Sequence, residues 1–335
     1  MTKTFNKEEY IKQKQEQIEE LNQKLIDGVA SVYEGENYKN YLKLSANFAN
    51  YSVNNKLLVY LQNPEATLVK TYKAWKELER TVNKGEKAIH ILVPNKYSVE
   101  ITKLYSELSE RELQYIVARE GDNCTLRIPK MGFKVLNVFD VSQTDGKELP
   151  PHNIVNMLSD GLINNEQYEN LRESIITTIT DVAKVSVEFK NKADDPILKN
   201  GANGYFRPSE NLIVINKELS EAQQVKTLLH ESAHSLLHGE EMKIDDISDT
   251  SRLSSRPDKE CQAESVAFMV CSHLGIDSGD YSFGYVASWV GQDNEILLAN
   301  LDIINKCANK LITEIDKTIE NVMENSKTNS EIELD

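Results

Sequence analysis

The chain has 335 residues, 40% of them apolar, with a formal charge of −15. That length suits two domains, each with enough apolar sequence for a core, and the acidic balance excludes a surface built throughout for nucleic acid while leaving room for a local basic face. Cys124, Cys261, Cys271 and Cys307 form no CxxC pair, the opening MTKTFNKEEY has no apolar signal region, and no apolar run could cross a bilayer; a cytoplasmic protein with reduced thiols and no membrane partner is expected.

In chain order, residues 6–35 carry Tyr10, Ile11, Ile18, Leu21, Leu25 and Ile26 among Lys, Glu and Gln, which predicts an amphipathic helix. A second helical stretch spans Tyr38–Leu61 and stops at Asn63-Pro64. Strand-like ATLVKTY and KAIHILVP flank a helical WKELER and the turn Asn83-Lys84-Gly85. Residues 97–130 read as charged and helix-like before CTLRIP, and MGFKVLNVFDV reads as a strand pair ending in a turn at Thr144-Asp145-Gly146. GKELPPHN, with paired prolines, is the expected linker. Beyond it come a helix over Gln167–Val182, alternating VSVEF, strands at Tyr205-Phe206 and NLIVIN, and helices to a polar tail at 325–335. The expected architecture is α+β in two domains, 1–150 and 151–324, with an acidic tail at 325–335.

The chemistry concentrates in SEAQQVKTLLHESAHSLLH, residues 220–238. Ser220 and Gln223 form a helix-start pattern. On that helix His230 and His234 lie one turn apart on one face, so both imidazoles can meet one ion. Glu231 falls about 100° round, placed to act on a water without ligating. Val225, Leu228, Leu229, Leu236 and Leu237 give the helix a buried side. His238 is about 12 Å along the helix from His230, too far for the same ion, and is read as a cation near the helix C-terminus.

A third ligand is sought in KECQAESVAFMVCSHLG, where Glu260 and Glu264 are one turn apart. One can ligate while the other accepts a hydrogen bond from a ligand imidazole; Glu260 is the expected ligand and Glu264 the supporting carboxylate. Three protein ligands with a fourth position left open describe a catalytic Zn2+ site. Glu231 then serves as general base in peptide hydrolysis and passes the proton to the leaving amine. NLIVIN is expected as an edge strand that pairs with an extended peptide. An oxyanion stabiliser is not assignable: Tyr205, Tyr281 and Tyr285 are candidates, each a residue type that more often packs than catalyses. A purely structural zinc is the weaker reading, because such sites close all four positions with Cys or His.

Residues 38–98 hold ten basic side chains, Lys73, Lys84 and Lys87 among them, against four acidic ones. Tyr38, Tyr41, Phe48, Tyr51, Tyr60, Tyr72 and Trp75 are interleaved with them. Cations for a phosphate backbone and aromatic faces for unpaired bases are the ingredients of a single-strand binder; the same spacing also suits a core with solvated lysines.

The string FANYSVNNKLLVYLQNPEATLVKTYKAWKELERTVNKGEKAIHILVP, followed by VFDVSQTDGKELP, resembles the N-terminal single-stranded-DNA-binding domain of ArdC-type antirestriction proteins. LLHESAHSLLH, ECQAESVAFMVCSHLGID and YSFGYVASW resemble that family's zincin metallopeptidase-like domain, related to the ImmA/IrrE peptidases. The resemblance covers roughly residues 30–95 and 130–310 and leaves 97–130 as a potential insertion. It implies a protein of plasmids, phages or conjugative elements that binds incoming single-stranded DNA and shields it from restriction. By position it implies His230, His234 and Glu260 as metal ligands and Glu231 as the catalytic glutamate. On the DNA side it falls on the Tyr51-Ser52-Val53-Asn54-Asn55 stretch, with Tyr51, Asn54 and Asn55 as contacts, and on Trp75, Lys84 and Lys87. The rival reading is an active metallopeptidase that cleaves a protein substrate such as a repressor.

Overall fold

The computed structural model describes residues 7–149, 165–239, 255–276 and 292–332. The N-terminal half begins with α1 (Lys7–Val32), whose Leu21, Leu25, Val29 and Val32 recur at helical spacing and are buried. The predicted helix over 38–61 is two, α2 (Asn37–Ala46) and α3 (Val53–Gln62). The break comes where the Asn47 and Phe48 amides turn back onto Leu44 and Ser45, and Ser52 then caps α3 by accepting from the Asn55 amide. Next are β1 (Val69–Lys70), α4 (Tyr72–Glu77) and β2 (Arg80–Val82).

The long strands β3 (Ile89–Leu104) and β5 (Asn123–Asp140) pair antiparallel along their length, from Ile89 opposite Val138 to Leu104 opposite Asn123. The short α5 (Glu110–Leu113) and β4 (Ile116–Glu120) lie between them in sequence, and β4 joins the other edge of β5. Residues 97–130 are thus mostly strand, not helix. Val99 opposite Ile128 and Ile101 opposite Leu126 extend the two-residue alternation, and this pairing overrides the helical propensity of the charged neighbours. MGFKVLNVFD is likewise one continuous part of β5 and not a strand pair, and Val141 opens a short 3-10 turn. Thr144-Asp145-Gly146 is a short strand, β6 (Thr144–Gly146), paired with β2. The expected linker runs out of the described residues after position 149.

The second half opens with α6 (Asn165–Ala183) and β7 (Ser186–Lys190), followed by α7 (Pro196–Lys199). Strands β8 (Gly204–Arg207) and β9 (Leu212–Asn216) complete a sheet of order β7-β9-β8. β9, with every residue buried, is therefore central, paired parallel to β7 and antiparallel to β8. The expectation that NLIVIN forms the free edge is corrected: its continuous apolar run suits a strand covered on both faces, and β8 holds an edge. Helices α8 (Glu221–His238), α9 (Arg256–Leu274) and α10 (Asn294–Ile332) follow. α10 continues through most of the stretch expected as a polar tail. No helix among the described residues is long and apolar enough to cross a membrane.

The two halves meet in one continuous hydrophobic core that reaches from Leu21 to Ile319. α9 packs on α8, α10 and α2. Across this contact the Tyr38 hydroxyl lies 2.8 Å from Ser265 Oγ, and the Tyr33 hydroxyl donates to the Leu297 carbonyl at 2.7 Å. The N-terminal half thus forms a rigid backing for α9.

Candidate metal centre

α8 begins at Ser220, whose Oγ accepts from the Gln223 amide. Its buried residues Val225, Leu228, Leu229, Ala233, Leu236 and Leu237 fix the helix in the core. Gly204 lets β8 lie close beside it: a Cβ there would stand 2.6 Å from Thr227 Cγ2 and 2.8 Å from the Val214 carbonyl. α9 is capped by a reciprocal Ser255–Asp258 box and ends at Gly275, in the left-handed conformation that favours glycine. Both helices that carry the predicted ligands are thereby set at both ends or along one face.

Three predicted residues converge. His230 Nε2 and His234 Nε2 are 3.1 Å apart, and Glu260 Oε2 lies 3.4 Å from the first and 3.5 Å from the second. Among the described residues these are the three whose donor atoms group tightly enough to hold a metal ion. Four-coordinate bonds of about 2.0–2.1 Å place neighbouring ligand atoms about 3.3–3.4 Å apart, so the spacing already fits a tetrahedral ion. The electrostatics agree. Burial alone would lower the His230 pKa, but Glu260 and Glu264 outweigh it and raise it to about 9. The neighbouring imidazoles of His230 and His234 hold the Glu260 carboxyl well below its usual range. The site favours a positive charge at its centre.

Glu264 lies where a supporting carboxylate is expected. Its Oε2 is 3.2 Å from His230 Nδ1, bent away from the ring's N–H direction, and its Oε1 is 3.3 Å from Lys226 Nζ. Burial alone would raise its pKa; His230 and Lys226 bring it below the ordinary value. The reading of His238 as a cation is corrected. Burial pushes its imidazole down to about 4, so the ring is neutral, and its Nδ1 lies 3.0 Å from His234 Nδ1.

Glu231 is half-buried beside the pair of imidazoles. Burial raises its pKa, against the lowering influence of His230, His234 and a hydrogen bond from the Phe206 amide of β8. A carboxylate whose pKa is moved upward by burial beside the imidazoles is suited to take and return a proton. Among the tyrosines considered for an oxyanion, Tyr205 donates its hydroxyl to Asp195 at 2.7 Å and accepts from Arg207 at 3.2 Å, which commits it elsewhere. Tyr281 and Tyr285 lie outside the described residues.

The residues singled out for DNA do not form one surface type. Trp75 is completely buried, and its indole donates to the Phe139 carbonyl at 2.8 Å; its ring is closed to a base, and the expectation of a stacking contact there is corrected. Asn55 uses both ends of its amide on the Leu92 backbone, joining α3 to β3. Tyr51 is half-buried, with its hydroxyl 3.3 Å from the Val69 carbonyl. Asn54, Lys73, Lys84 and Lys87 are exposed, Lys73 alongside Glu77 at 3.7 Å.

Sequence reasoning missed a second basic, aromatic feature. Over 89–99 and 128–138, which face each other along β3 and β5, there is no Asp or Glu. This ribbon exposes Tyr97, Met131 and Phe133 together with Lys96, Lys130 and Lys134. The signal was the acid-free composition of two segments far apart in sequence, which only the pairing joins.

Comparison with known proteins places these features in context. Residues 9–139 match the family model of the N-terminal domain of anti-restriction factor ArdC. Residues 169–272 match the IrrE N-terminal-like domain, a peptidase family. The uncharacterized protein pXO2-81 of Bacillus anthracis is 26% identical over 356 aligned positions, which take in 98% of this chain and 57% of the relative; this chain spans little more than half of that protein's length. Two crystal structures of the antirestriction protein ArdC from plasmid R388 also align. The metal-free one is 20% identical over 81% of this chain and 85% of its own, and the Mn(II)-bound one 22% over 82% and 87%, each with a TM-score of 0.42.

Proposed function

We propose, from a chain that is ArdC-type in its make-up, an ArdC N-terminal domain joined to an IrrE-like peptidase domain, that this protein is a single-stranded-DNA-binding antirestriction factor of a mobile genetic element whose second half is a zinc centre built for peptide hydrolysis. The observation that carries the reading is the meeting of His230 Nε2, His234 Nε2 and Glu260 Oε2 at 3.1–3.5 Å, with Glu231 alongside. Two imidazoles and one carboxylate, with no thiolate, suit a divalent ion such as zinc and leave a coordination position for substrate. When bound, such an ion supplies Lewis acidity, which acidifies water and polarises a carbonyl. Glu231 takes the proton released and returns it to the leaving amine. The Phe206 amide of β8 favours the charged form of this carboxylate. That strand pairs with β9 alone among the described residues, and its other edge suits an extended peptide laid antiparallel.

Support for the single-strand half comes from exposed Lys73, Lys84 and Lys87 and from the acid-free ribbon of β3 and β5 with its exposed aromatics. A second reading, an active peptidase acting on a protein such as a repressor, is favoured by Glu231 and the β8 edge. The test pairs metal analysis with gel shifts. Wild-type protein and His230→Ala are assayed for bound zinc, and both are titrated with single-stranded and duplex oligonucleotides over a salt series. The proposal requires zinc in the wild type, its loss in the variant, and single-strand preference that weakens with salt in both. Zinc retained by His230→Ala, or equal affinity for duplex, defeats it. In Glu231→Gln, metal should remain while any cleavage of a protein substrate disappears.

A further inference from the structure

Behind the metal centre runs a line of side chains whose hydrogen bonds have a single allowed direction. It starts at a backbone carbonyl, Ile296 O, which can only accept; Asn300 Nδ2 donates to it at 3.2 Å. That fixes the Asn300 amide, so its Oδ1 faces Gln262 and accepts from Nε2 at 2.8 Å. Gln262 is fully buried, so its Oε1 is turned to His238 Nε2 at 2.9 Å, where the imidazole must be the donor. A neutral His238 with its proton on Nε2 has only a lone pair on Nδ1. The Nδ1 of His234, 3.0 Å away, must therefore carry a hydrogen and donate. Reversing any link sets two acceptors against each other at the Ile296 carbonyl. The consequence reaches the site: a His234 ring that donates from Nδ1 has its Nε2, which faces His230 and Glu260, available as a ligand atom.

We infer that His238, Gln262 and Asn300 are positioning residues: the relay fixes His238 in the tautomer with its proton on Nε2 and an accepting Nδ1, which takes the His234 Nδ1 hydrogen and so orients that imidazole with Nε2 as its ligand atom. The inference rests on the metal reading above and extends it to three residues on three helices. His230 has a different neighbour at its Nδ1, the Glu264 carboxylate at 3.2 Å, which attracts the ring by charge without an aligned hydrogen bond. The two ligand imidazoles therefore have unlike supports, one anionic and one a neutral amide relay anchored on α10. A neutral relay orients the ring without adding a further negative charge to a cluster that already holds Glu231, Glu260 and Glu264. Unlike a water, which can donate or accept at will, a buried amide tied to a carbonyl cannot reverse.

The tautomer can be read directly in metal-free protein by NMR of the 15N-labelled imidazoles. His238 should show a protonated Nε2 and an unprotonated Nδ1; the opposite tautomer in the wild type overturns the inference. Zinc affinity is then measured by chelator competition. His238→Leu and Gln262→Leu should each weaken it about 10- to 100-fold. His238→Gln keeps an acceptor for His234 and a donor for Gln262, and should restore most of the loss while His238→Leu does not. Unchanged affinity in His238→Leu, or no recovery in a folded His238→Gln, defeats the relay. A wild type that binds no zinc would defeat the proposed function, while the tautomer in the metal-free protein would still decide whether the relay exists.

Discussion

Lys56 offers a prediction that tests how the two halves are joined. It lies on α3, fully buried, and its ammonium donates to the Ser45 carbonyl at 3.0 Å, Asn305 Oδ1 at 2.7 Å and Asn309 Oδ1 at 2.8 Å. Its partners therefore come from the end of α2 and from α10, one in each half of the chain. Burial lowers its pKa from 10.5 to about 7. In the unfolded chain the lysine keeps its proton up to about pH 10.5, so between pH 7 and 10.5 the unfolded state binds more protons. Stability must then rise with pH across that window, by about 1.4 kcal/mol per unit from this group. Below pH 7 both states are charged and the full cost of burying the charge is present; above 10.5 it is gone. Lys56→Met removes the titration. At neutral pH the variant takes the ammonium donor from Asn305 and Asn309, each loss costing about 1–3 kcal/mol, while the Ser45 carbonyl keeps the Phe48 amide; it is also relieved of a desolvated charge worth several kcal/mol, so the pH slope is the cleaner quantity. Urea unfolding of both proteins at half-unit steps from pH 7.5 to 9.5, at fixed ionic strength, gives the difference in unfolding free energy. That difference should climb in favour of wild type with the slope stated. A flat difference would refute the reasoning and show that the three acceptors hold the ammonium at its ordinary pKa.

Zinc at a hundred times its dissociation constant should stabilise the chelator-stripped protein by about 2.7 kcal/mol. A thermal melt should show this in wild type and lose it in His230→Ala and Glu260→Gln; an equal shift in those variants would place the ion elsewhere. Trp75→Ala should cost about 3–5 kcal/mol in chemical unfolding, because it empties a core position, yet leave single-strand affinity unchanged at equal folded fraction. By contrast, Lys96→Glu, Lys130→Glu and Lys134→Glu together should weaken oligonucleotide binding in fluorescence anisotropy and flatten the log–log salt slope by about 2, at roughly 0.7 per lost phosphate contact. Gly204→Val brings a side chain against Thr227 and the Val214 carbonyl, and should push β8 and its Phe206 amide away from Glu231. Metal analysis should find zinc retained in that variant, and a cleavage assay should find hydrolysis reduced; full activity would disconnect β8 from the chemistry.

The convergence of His230, His234 and Glu260 was legible because its information is local. His230 and His234 are one turn apart on one helix, and Glu260 and Glu264 stand before an apolar run that had to be another, so two helical periods were enough to name the carboxylates. What sat further from those periods was misread. His238 shares the face of His234 one turn on, but its neutrality depends on burial against Gln262 and on Asn300 in a third helix, and no spacing rule carries that. NLIVIN was read as an edge because apolar runs suit strands in either place; the parallel partner β7, 26 residues earlier by register, makes it central. Trp75 illustrates the opposite error: its basic neighbours are solvated, while the ring fills the space under Phe139. In a six-residue helix such as α4 the apolar side and the charged side are both visible in composition, and only the packing says which of them the aromatic joins.

The chain's acidity bears on DNA binding differently once the strands are paired. A net charge of −15 raises the long-range cost of approaching a polyanion, but a Debye length of about 8 Å at physiological salt confines each patch to its near neighbours. Within that range, what matters is the sign on one surface. The two ribbon segments are acid-free over residues 89–99 and 128–138, and their lysines alternate with exposed Tyr97, Met131 and Phe133. Farther out the ribbon changes character, with Glu100 bridging Arg127 at 2.7 Å and Glu112 bridging Lys103 at 2.7 Å. Cations neutralised in such pairs add little attraction for phosphate, whereas Lys96, Lys130 and Lys134 sit where the facing strand supplies no acid to pair with. A single strand held there would meet positive charge and apolar faces together, so its affinity should be strongly salt-dependent and should survive loss of the metal ligands on α8 and α9.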